Sequence, residues 1–254
     1  MKKQLLFNLA IVAIVNGLIL GLMGQAKAQT IESLPSFSKI VASPHINVVL
    51  QKGDAESIQL VYHGVDADKM NVEVQGSKLH LFLDHAKIVE RQKRFDGPGY
   101  SYTKGIYQDA SVTAYVTYRQ LESVEMRGET ELYSEGQIES DKFKLKVYGE
   151  TEVNLASLRA RKFKASVYGA NKIKIRDGET GDQLLRVFGE NNIDAAGLAS
   201  NTTTTRIYGE GLIKVLASEE CRVTAFGEPE LQIRGGGRIS KGIIIGEANI
   251  STRR

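Results

Sequence analysis

Apolar and polar residues alternate over most of the chain with a period of two, which is typical of half-buried β-strands. In the segment KFKLKVY, Phe143, Leu145 and Val147 share one face, and lysines occupy the positions between them. The same alternation returns about every 20 residues, and each copy runs into a glycine. The repeats lack the 3.6-residue spacing of an amphipathic helix. The pattern therefore predicts strands joined by glycine turns.

A short phrase marks each repeat, as in VYGETEV around Gly149 and VYGANKI around Gly169. The repeat glycines follow one another at steps of 18 to 21 residues, at Gly128, Gly149, Gly169, Gly189, Gly209, Gly227 and Gly246. One coil of this length cannot bury its own apolar face, but stacked coils bury it against one another. Glycine suits a sharp corner because it adopts positive φ without a Cβ penalty. The sequence predicts an all-β parallel β-solenoid, similar to a β-helix, with coils of about 20 residues.

The N-terminal segment differs from the rest of the chain. Residues 1–28 are typical of a secretory signal peptide, because Lys2 and Lys3 precede an apolar run and Ala26-Lys27-Ala28 provides a cleavage site before Gln29. An uncleaved membrane anchor is the alternative for the same run. Cleavage removes three lysines and no acid, so the formal net charge falls from +3 to 0. The charge then gives no reason to expect a nucleic-acid partner.

The mature chain is predicted to contain two continuous regions and no stable membrane span. Residues 29–120 form an irregular N-terminal β head, with a loop excursion near residues 84–110, where the alternation lapses. Residues 121–254 form the solenoid with its glycine corners. The single cysteine, Cys221, excludes an internal disulfide, so burial and backbone pairing must hold the exported fold together.

Two outward columns flank the corners. A glutamate follows most repeat glycines, with Ala170 as the exception, at Glu129, Glu150, Glu190, Glu210, Glu228 and Glu247. An aromatic residue precedes five of the repeat glycines, at Tyr148, Tyr168, Phe188, Tyr208 and Phe226. The structural interpretation is a solvated acidic ridge, with Lys146, Arg186 and Arg206 near enough to offset its charge, and a stabilising ladder of rings. The functional interpretation is a surface for binding, where the ridge holds divalent cations or the rings stack on sugars or a partner.

The excursion is a third candidate surface. Its basic residues Arg91, Lys93 and Arg94 are followed by aromatic residues at Phe95, Tyr100, Tyr102 and Tyr107. Loops on rigid scaffolds often carry binding, and tyrosine is suited to contacts. The Gly-Pro-Gly at residues 97–99 is equally compatible with a flexible connection that binds nothing.

Catalytic chemistry has little support in the sequence. The four histidines, His45, His63, His80 and His85, lie in the head without an acid or cysteine at metal-site spacing. Cys221 continues an inward set and is predicted to be buried and inert. No catalytic residue, metal or cofactor is therefore predicted. The alternative is a pair of carboxylates assembled from different coils.

The head segment FSKIVASPHINVVLQKG, followed by an array of glycine corners, resembles the family described as putative auto-transporter adhesin, head GIN domain. The closing stretch FGEPELQIRGGGRISKGIIIGEANI resembles its last two corners, and the resemblance covers residues 37–254. The family's Gly-Ile-Asn is His45-Ile46-Asn47 here, and the corners carry an aromatic and a glutamate instead of small residues. The resemblance implies exported envelope proteins of Gram-negative bacteria, with a β-helical fold and a role in adhesion.

The favoured hypothesis is a non-enzymatic exported protein, in the periplasm or on the cell surface of a Gram-negative bacterium. It would present its repeated surface to an envelope or extracellular protein or to a glycan, with adhesion as the favoured role. Weak contacts along a stiff stack would add through multivalency. Two alternatives remain, a carbohydrate-active β-helix enzyme that acts on acidic polysaccharide and a periplasmic scaffold that contacts only proteins.

Overall fold

The computed structural model describes residues 27–28 and 32–253, and this part of the chain is almost entirely β-strand. The signal-peptide prediction therefore lies outside the described residues, except for two that form a short strand. The strands are β1 (Lys27–Ala28), β2 (Glu32–Ser33), β3 (Lys39–Ala42), β4 (Ile46–Lys52), β5 (Ser57–His63), β6 (Met70–Gln75), β7 (Lys78–Leu83), β8 (Gln92–Gly97), β9 (Tyr100–Gly105), β10 (Ser111–Tyr118), β11 (Ser123–Ile175), β12 (Gly178–Phe226), β13 (Pro229–Arg234), β14 (Arg238–Ile245) and β15 (Asn249–Arg253).

The two longest strands wind through several corners each. β11 spans 53 residues and β12 spans 49, and they pair in parallel. Their register is offset by one repeat, so that Gly169 lies beside Gly189 and Ile173 lies beside Ile193. A parallel pairing between equivalent positions of successive repeats is the arrangement of a solenoid. The predicted fold class is thus confirmed.

The C-terminal coils continue the stack. β13 pairs in parallel with β12, where Leu231 lies beside Ile213, and β15 pairs in parallel with β13. β14 also pairs with β12, with a register shift between Val223 and Ala225. Val223 lies beside Lys241 but Ala225 lies beside Ile244, so β14 takes up one extra residue at the shift and stays in the stack.

The head joins the same sheet at its other end. β3 and β4 pair in parallel with β11, where Ile40 lies beside Val124 and Val48 lies beside Leu132. β10 pairs in parallel with β4 and antiparallel with β5, while β6 and β7 form an antiparallel hairpin. One short 3-10 turn, Ala67–Lys69, interrupts the strands. Within the described ranges, no helix has the length and hydrophobicity needed to cross a membrane.

The inward positions of the coils form one continuous hydrophobic core. Phe143, Leu145 and Val147, which the alternation placed on one face, are fully buried. Phe143 and Phe163 stack on each other inside the core, with ring centroids 6.1 Å apart. Cys221 is buried as predicted, and burial raises the pKa of its thiol to about 11. The thiol is therefore protonated and unreactive at neutral pH.

A row of buried polar residues lies two positions after the first four corner glycines, at Thr130, Thr151, Asn171 and Asn191. The side-chain oxygen of Asn191 accepts hydrogen bonds from the backbone N–H and the side-chain amide of Asn171, at 3.1 and 2.9 Å. The side-chain oxygen of Asn171 accepts the backbone N–H of Thr151 at 2.9 Å. The amide of Asn191 also donates to the carbonyl of Phe188. These bonds join successive coils at the corner, where the backbone bends.

We expect Asn191→Ala to lower the free energy of unfolding by about 1–3 kcal/mol, because two buried donors of Asn171 lose their acceptor. Urea unfolding followed by circular dichroism measures the change. Asn192→Ala is the matched control, since Asn192 is the exposed neighbour in the same strand. Equal stability of the two variants would show that the corner bonds do not hold the coils together.

Candidate functional site

The corner glycines form a single column along one edge of the stack. Gly149, Gly169, Gly189 and Gly209 all have positive φ, at 108°, 110°, 98° and 135°. A Cβ added to any of them would collide with the carbonyl oxygen of the corner glycine one coil earlier. Glycine is therefore required twice at each corner, for the backbone conformation and for the close approach of the next coil.

The aromatic residues that precede these glycines stack face to face along the coils, at Tyr148, Tyr168, Phe188, Tyr208 and Phe226. Neighbouring ring centroids are 4.8 to 5.0 Å apart, with interplanar angles of 3 to 6°. The rings are half-buried, and the most exposed of them, Tyr208, is 39% exposed. The predicted ladder is confirmed as a geometric feature. Because each internal ring is covered on both faces by its neighbours, the ladder offers ring edges to a ligand, and sugars have no internal ring face on which to stack.

The corner glutamates are exposed and form the expected ridge, at Glu129, Glu150, Glu190, Glu210, Glu228 and Glu247. In the described part of the chain, none of them has an ion-pair partner; Lys146 pairs instead with Glu125, at 3.3 Å. The expected direct offset of the ridge by neighbouring cations is therefore not formed. No group of three or more His, Cys, Asp or Glu side chains among the described residues could hold a metal ion.

The predicted excursion contains an antiparallel hairpin of β8 and β9, a two-stranded sheet separate from the main one. Three rings stack along it, with centroids 5.3 Å apart for Phe95 and Tyr102 and 6.2 Å apart for Tyr102 and Tyr100. They are 37%, 49% and 62% exposed in the order Phe95, Tyr102, Tyr100. The ring of Tyr100 lies over Gly97, which has no side chain to displace it. The hairpin thus carries an exposed aromatic surface.

Tyr107 does not join these rings. Its ring lies 6.2 Å from His45, and it is half-buried against the core. Burial, followed by the charge of Asp84, raises the pKa of the Tyr107 hydroxyl. The backbone N–H of Tyr107 donates to Glu90, whose other oxygen lies 3.1 Å from His45. Tyr107 therefore anchors the base of the excursion to the head.

The segment His45-Ile46-Asn47 forms the corner of the head below Gly128. His45 has φ 70°, a conformation that favours glycine, which explains the glycine of the Gly-Ile-Asn signature. Ile46 is fully buried in the core. The side-chain oxygen of Asn47 accepts the backbone N–H of Glu131, 2.9 Å away in the next coil. Each position of the signature thus has a structural role, and Asn47 joins the head to the solenoid.

Ion pairing lowers the pKa of every described carboxyl group with a displaced value. At Glu56, burial alone would raise the pKa, but hydrogen bonds from Arg119 and Ser36 outweigh it. Glu125 follows the same pattern with Arg127. The acid of a glycoside-cleaving pair instead needs a raised pKa. These carboxylates have the character of structural ion-pair partners.

Sequence reasoning related Arg186 and Arg206 only to the acidic ridge, and it missed a group of outward cations on the strand segments that lead to the corners, at Lys144, Lys164, Arg186 and Arg206. They occupy positions three or five residues before a corner glycine. The period of two, extended across successive repeats, contains the signal that brings them to one face. In the sequence Phe95 is only a neighbour of the tyrosines, whereas in the structure its ring is one end of their stack.

The protein is a parallel β-solenoid, because whole repeats pair in parallel and a glycine with positive φ forms each corner. The profile of the family described as "Putative auto-transporter adhesin, head GIN domain" matches residues 36–237, and the chain belongs to this family. No curated protein sequence matches the chain significantly.

Solved structures share the fold. A putative adhesin from Bacteroides fragilis is 18% identical, with a TM-score of 0.72, over 91% of this chain and 98% of that one. A putative adhesin from Parabacteroides distasonis is 16% identical, with a TM-score of 0.64 and the same coverage of both chains. A protein from the same species described as a putative lipid binding protein is 14% identical, with a TM-score of 0.58, again over 91% and 98%. At these identities the likeness concerns the fold alone.

We expect Phe188→Ala to lower the free energy of unfolding by about 1–3 kcal/mol, because two stacked ring contacts are lost. Phe188→Tyr is the matched control and should change stability little, since the neighbouring ladder residues, Tyr168 and Tyr208, are both tyrosines. Urea unfolding of both variants measures the difference. If the alanine variant were as stable as the tyrosine variant, the ladder would contribute nothing to the stack.

We expect His45→Gly to be more stable than His45→Ala by about 1–2 kcal/mol. Both variants lose the contact with Glu90, but only glycine relieves the positive φ. At Gln51, in the extended strand β4, the order should reverse, because glycine inside a strand costs about 0.5–1 kcal/mol relative to alanine. Urea unfolding of the four variants tests this, and the same order at both positions would contradict the explanation of the signature.

Proposed function

We propose that the protein is a non-enzymatic exported protein of the cell envelope that presents its solenoid surface for binding, with adhesion as its role. Its membership of an adhesin family supports this class of function. The observation that carries the proposal is the exposed aromatic hairpin held on a stiff stack of coils. Rigid scaffolds that position a protruding loop or hairpin commonly use it for recognition.

The hairpin is suited to contact with a partner. Its three stacked rings are already ordered by one another, so little side-chain entropy is lost when they are covered. The ammonium group of Lys93 lies 5.3 Å from the ring of Phe95, which adds a cation beside the aromatic surface. Exposed aromatic residues with neighbouring cations are typical of interface centres.

The arrangement of acids favours binding over cleavage of a polysaccharide. The corner glutamates lie at equivalent positions of successive coils, as an even ridge. A glycoside-cleaving pair needs two carboxyl groups on opposite sides of one bond, one of them with a raised pKa. The ridge instead resembles a charged edge that keeps the stack soluble.

Protease treatment of intact cells tests the location. We expect the full chain, expressed with its own N-terminal segment, to be lost from whole cells while a periplasmic marker survives. Complete protection would place the protein inside the envelope and overturn adhesion in favour of a periplasmic scaffold.

Attachment of the same cells to extracellular protein and to immobilised glycans tests the hairpin. The double variant Tyr100→Ser/Tyr102→Ser should reduce attachment several-fold, because the exposed stack is removed. Tyr133→Ser is the matched control, since Tyr133 is an exposed tyrosine on the solenoid, outside the ring stacks. Equal attachment by both variants would exclude the hairpin as the contact.

A further inference from the structure

A strip of cations runs along the coil face beside the aromatic ladder. Lys144 and Lys164 occupy the fifth position before their corner glycines, and Arg186 and Arg206 occupy the third. In the register of β11 and β12, Lys164 lies beside Leu184, and Ser166 lies beside Arg186. The four side chains are therefore distributed over four successive coils on one outward face. We call them the basic strip.

The basic strip lacks the compensation that several other cations on the coils have. Those cations pair with an acid one coil away, as in Arg161 with Asp141 and Lys162 with Asp182. No described residue forms an ion pair with a member of the basic strip. The charges are uncompensated although the register would allow acids beside them.

The members of the basic strip lie close enough to affect one another. Burial, followed by the charges of Arg186, Lys144 and Lys146, lowers the pKa of Lys164. The Nε atom of Arg186 is buried and has no hydrogen-bond partner within the described structure. The face therefore holds repelling like charges, which an anionic ligand would offset.

One end of the basic strip opens into a cleft. The cleft has a volume of about 870 Å³, and Lys144 belongs to both. Seven lysine and arginine side chains line it with three acids, Glu122, Glu139 and Asp141. Some of these cations are paired, as in Lys52 with Glu139, whereas Lys142 has no ion-pair partner among the described residues. A ligand that follows the strip towards the head thus enters a second region with an excess of positive charge. A continuous path of this kind fits an extended chain better than a small ion.

We propose that the basic strip binds a linear anionic polysaccharide, such as a polyuronate, which lies along the coils. Each sugar of an extended chain is about as long as the step between coils, about 4.8 Å. Successive carboxylates can then meet cations on successive coils. Single-stranded nucleic acid fits less well, because its bases need aromatic faces and the adjoining ladder has its internal faces covered. This ligand class rests on the proposed binding role and refines it.

Binding of the purified protein to polygalacturonate, measured by isothermal titration calorimetry, tests the proposal. The double variant K164Q/R186Q should weaken binding at least about tenfold, since each glutamine removes a charged contact. K174Q/K214Q is the matched control, because it removes the same charge from outward positions after the corners, and it should change affinity less than about twofold. Thermal unfolding checks that both variants fold.

Binding of two other polymers, measured in the same way, distinguishes the class of ligand. Neutral dextran should not bind, and single-stranded DNA should bind at least about tenfold more weakly than polygalacturonate. Absence of polygalacturonate binding, equal binding of DNA, or equal losses in the two double variants would overturn the proposal. Cell attachment depends on the hairpin in the separate test above. If cells that display the unmodified protein do not attach while the purified protein binds polygalacturonate, adhesion alone is refuted. Attachment without polygalacturonate binding would refute the basic strip alone.

Discussion

The coils lie directly on one another because each corner residue has no side chain where the preceding coil passes. At Gly169, Gly189 and Gly209, a Cβ would meet the carbonyl oxygen of the previous corner, and the backbone adopts positive φ at the same point. The contact lets successive corners approach closely. Along β11 and β12, each sequence position of one repeat therefore lies beside its equivalent in the next. The other features of the stack follow from this repetition.

Repetition of equivalent positions converts weak contacts into continuous ones. The corner amides bind the next coil through Asn171 and Asn191, and the rings stack at the spacing of the coils. Ion pairs such as Arg161 with Asp141 also join residues one repeat apart. With a single cysteine, the chain relies on these contacts and on its core in place of disulfides. Register and stability therefore have the same physical source.

Features that repeat could be predicted from the sequence, and features that depend on contacts outside the repeat could not. The alternation and the glycine steps predicted the coils, the inward core and the ring ladder. The order of the head strands was not predictable, because β10 pairs with β4 across about 66 residues of chain without a local signal. The polar corner row was missed because Thr151, Asn171 and Gly211 share a position while differing in chemistry. The hairpin stack depends on Gly97, which resembled a flexible linker in the sequence.

The regularity that stabilises the solenoid also limits where it can bind. Within the ladder, ring faces that a sugar would need are already covered by the neighbouring rings, so aromatic contact is available where the stack is interrupted, at the hairpin. The same limit applies to charged side chains. A cation that pairs with an acid across coils, such as Lys162, is already neutralised, whereas the cations of the basic strip have no such partner and can bind an anion. Recognition should therefore be sought at departures from the repeat. The corner below Gly128 is a further departure, but Asn47 there joins the head to the first coil and His45 contacts Glu90 at the base of the excursion. The side chains of this corner are therefore occupied by contacts within the fold, whereas the rings of the hairpin and the cations of the basic strip remain accessible to a partner.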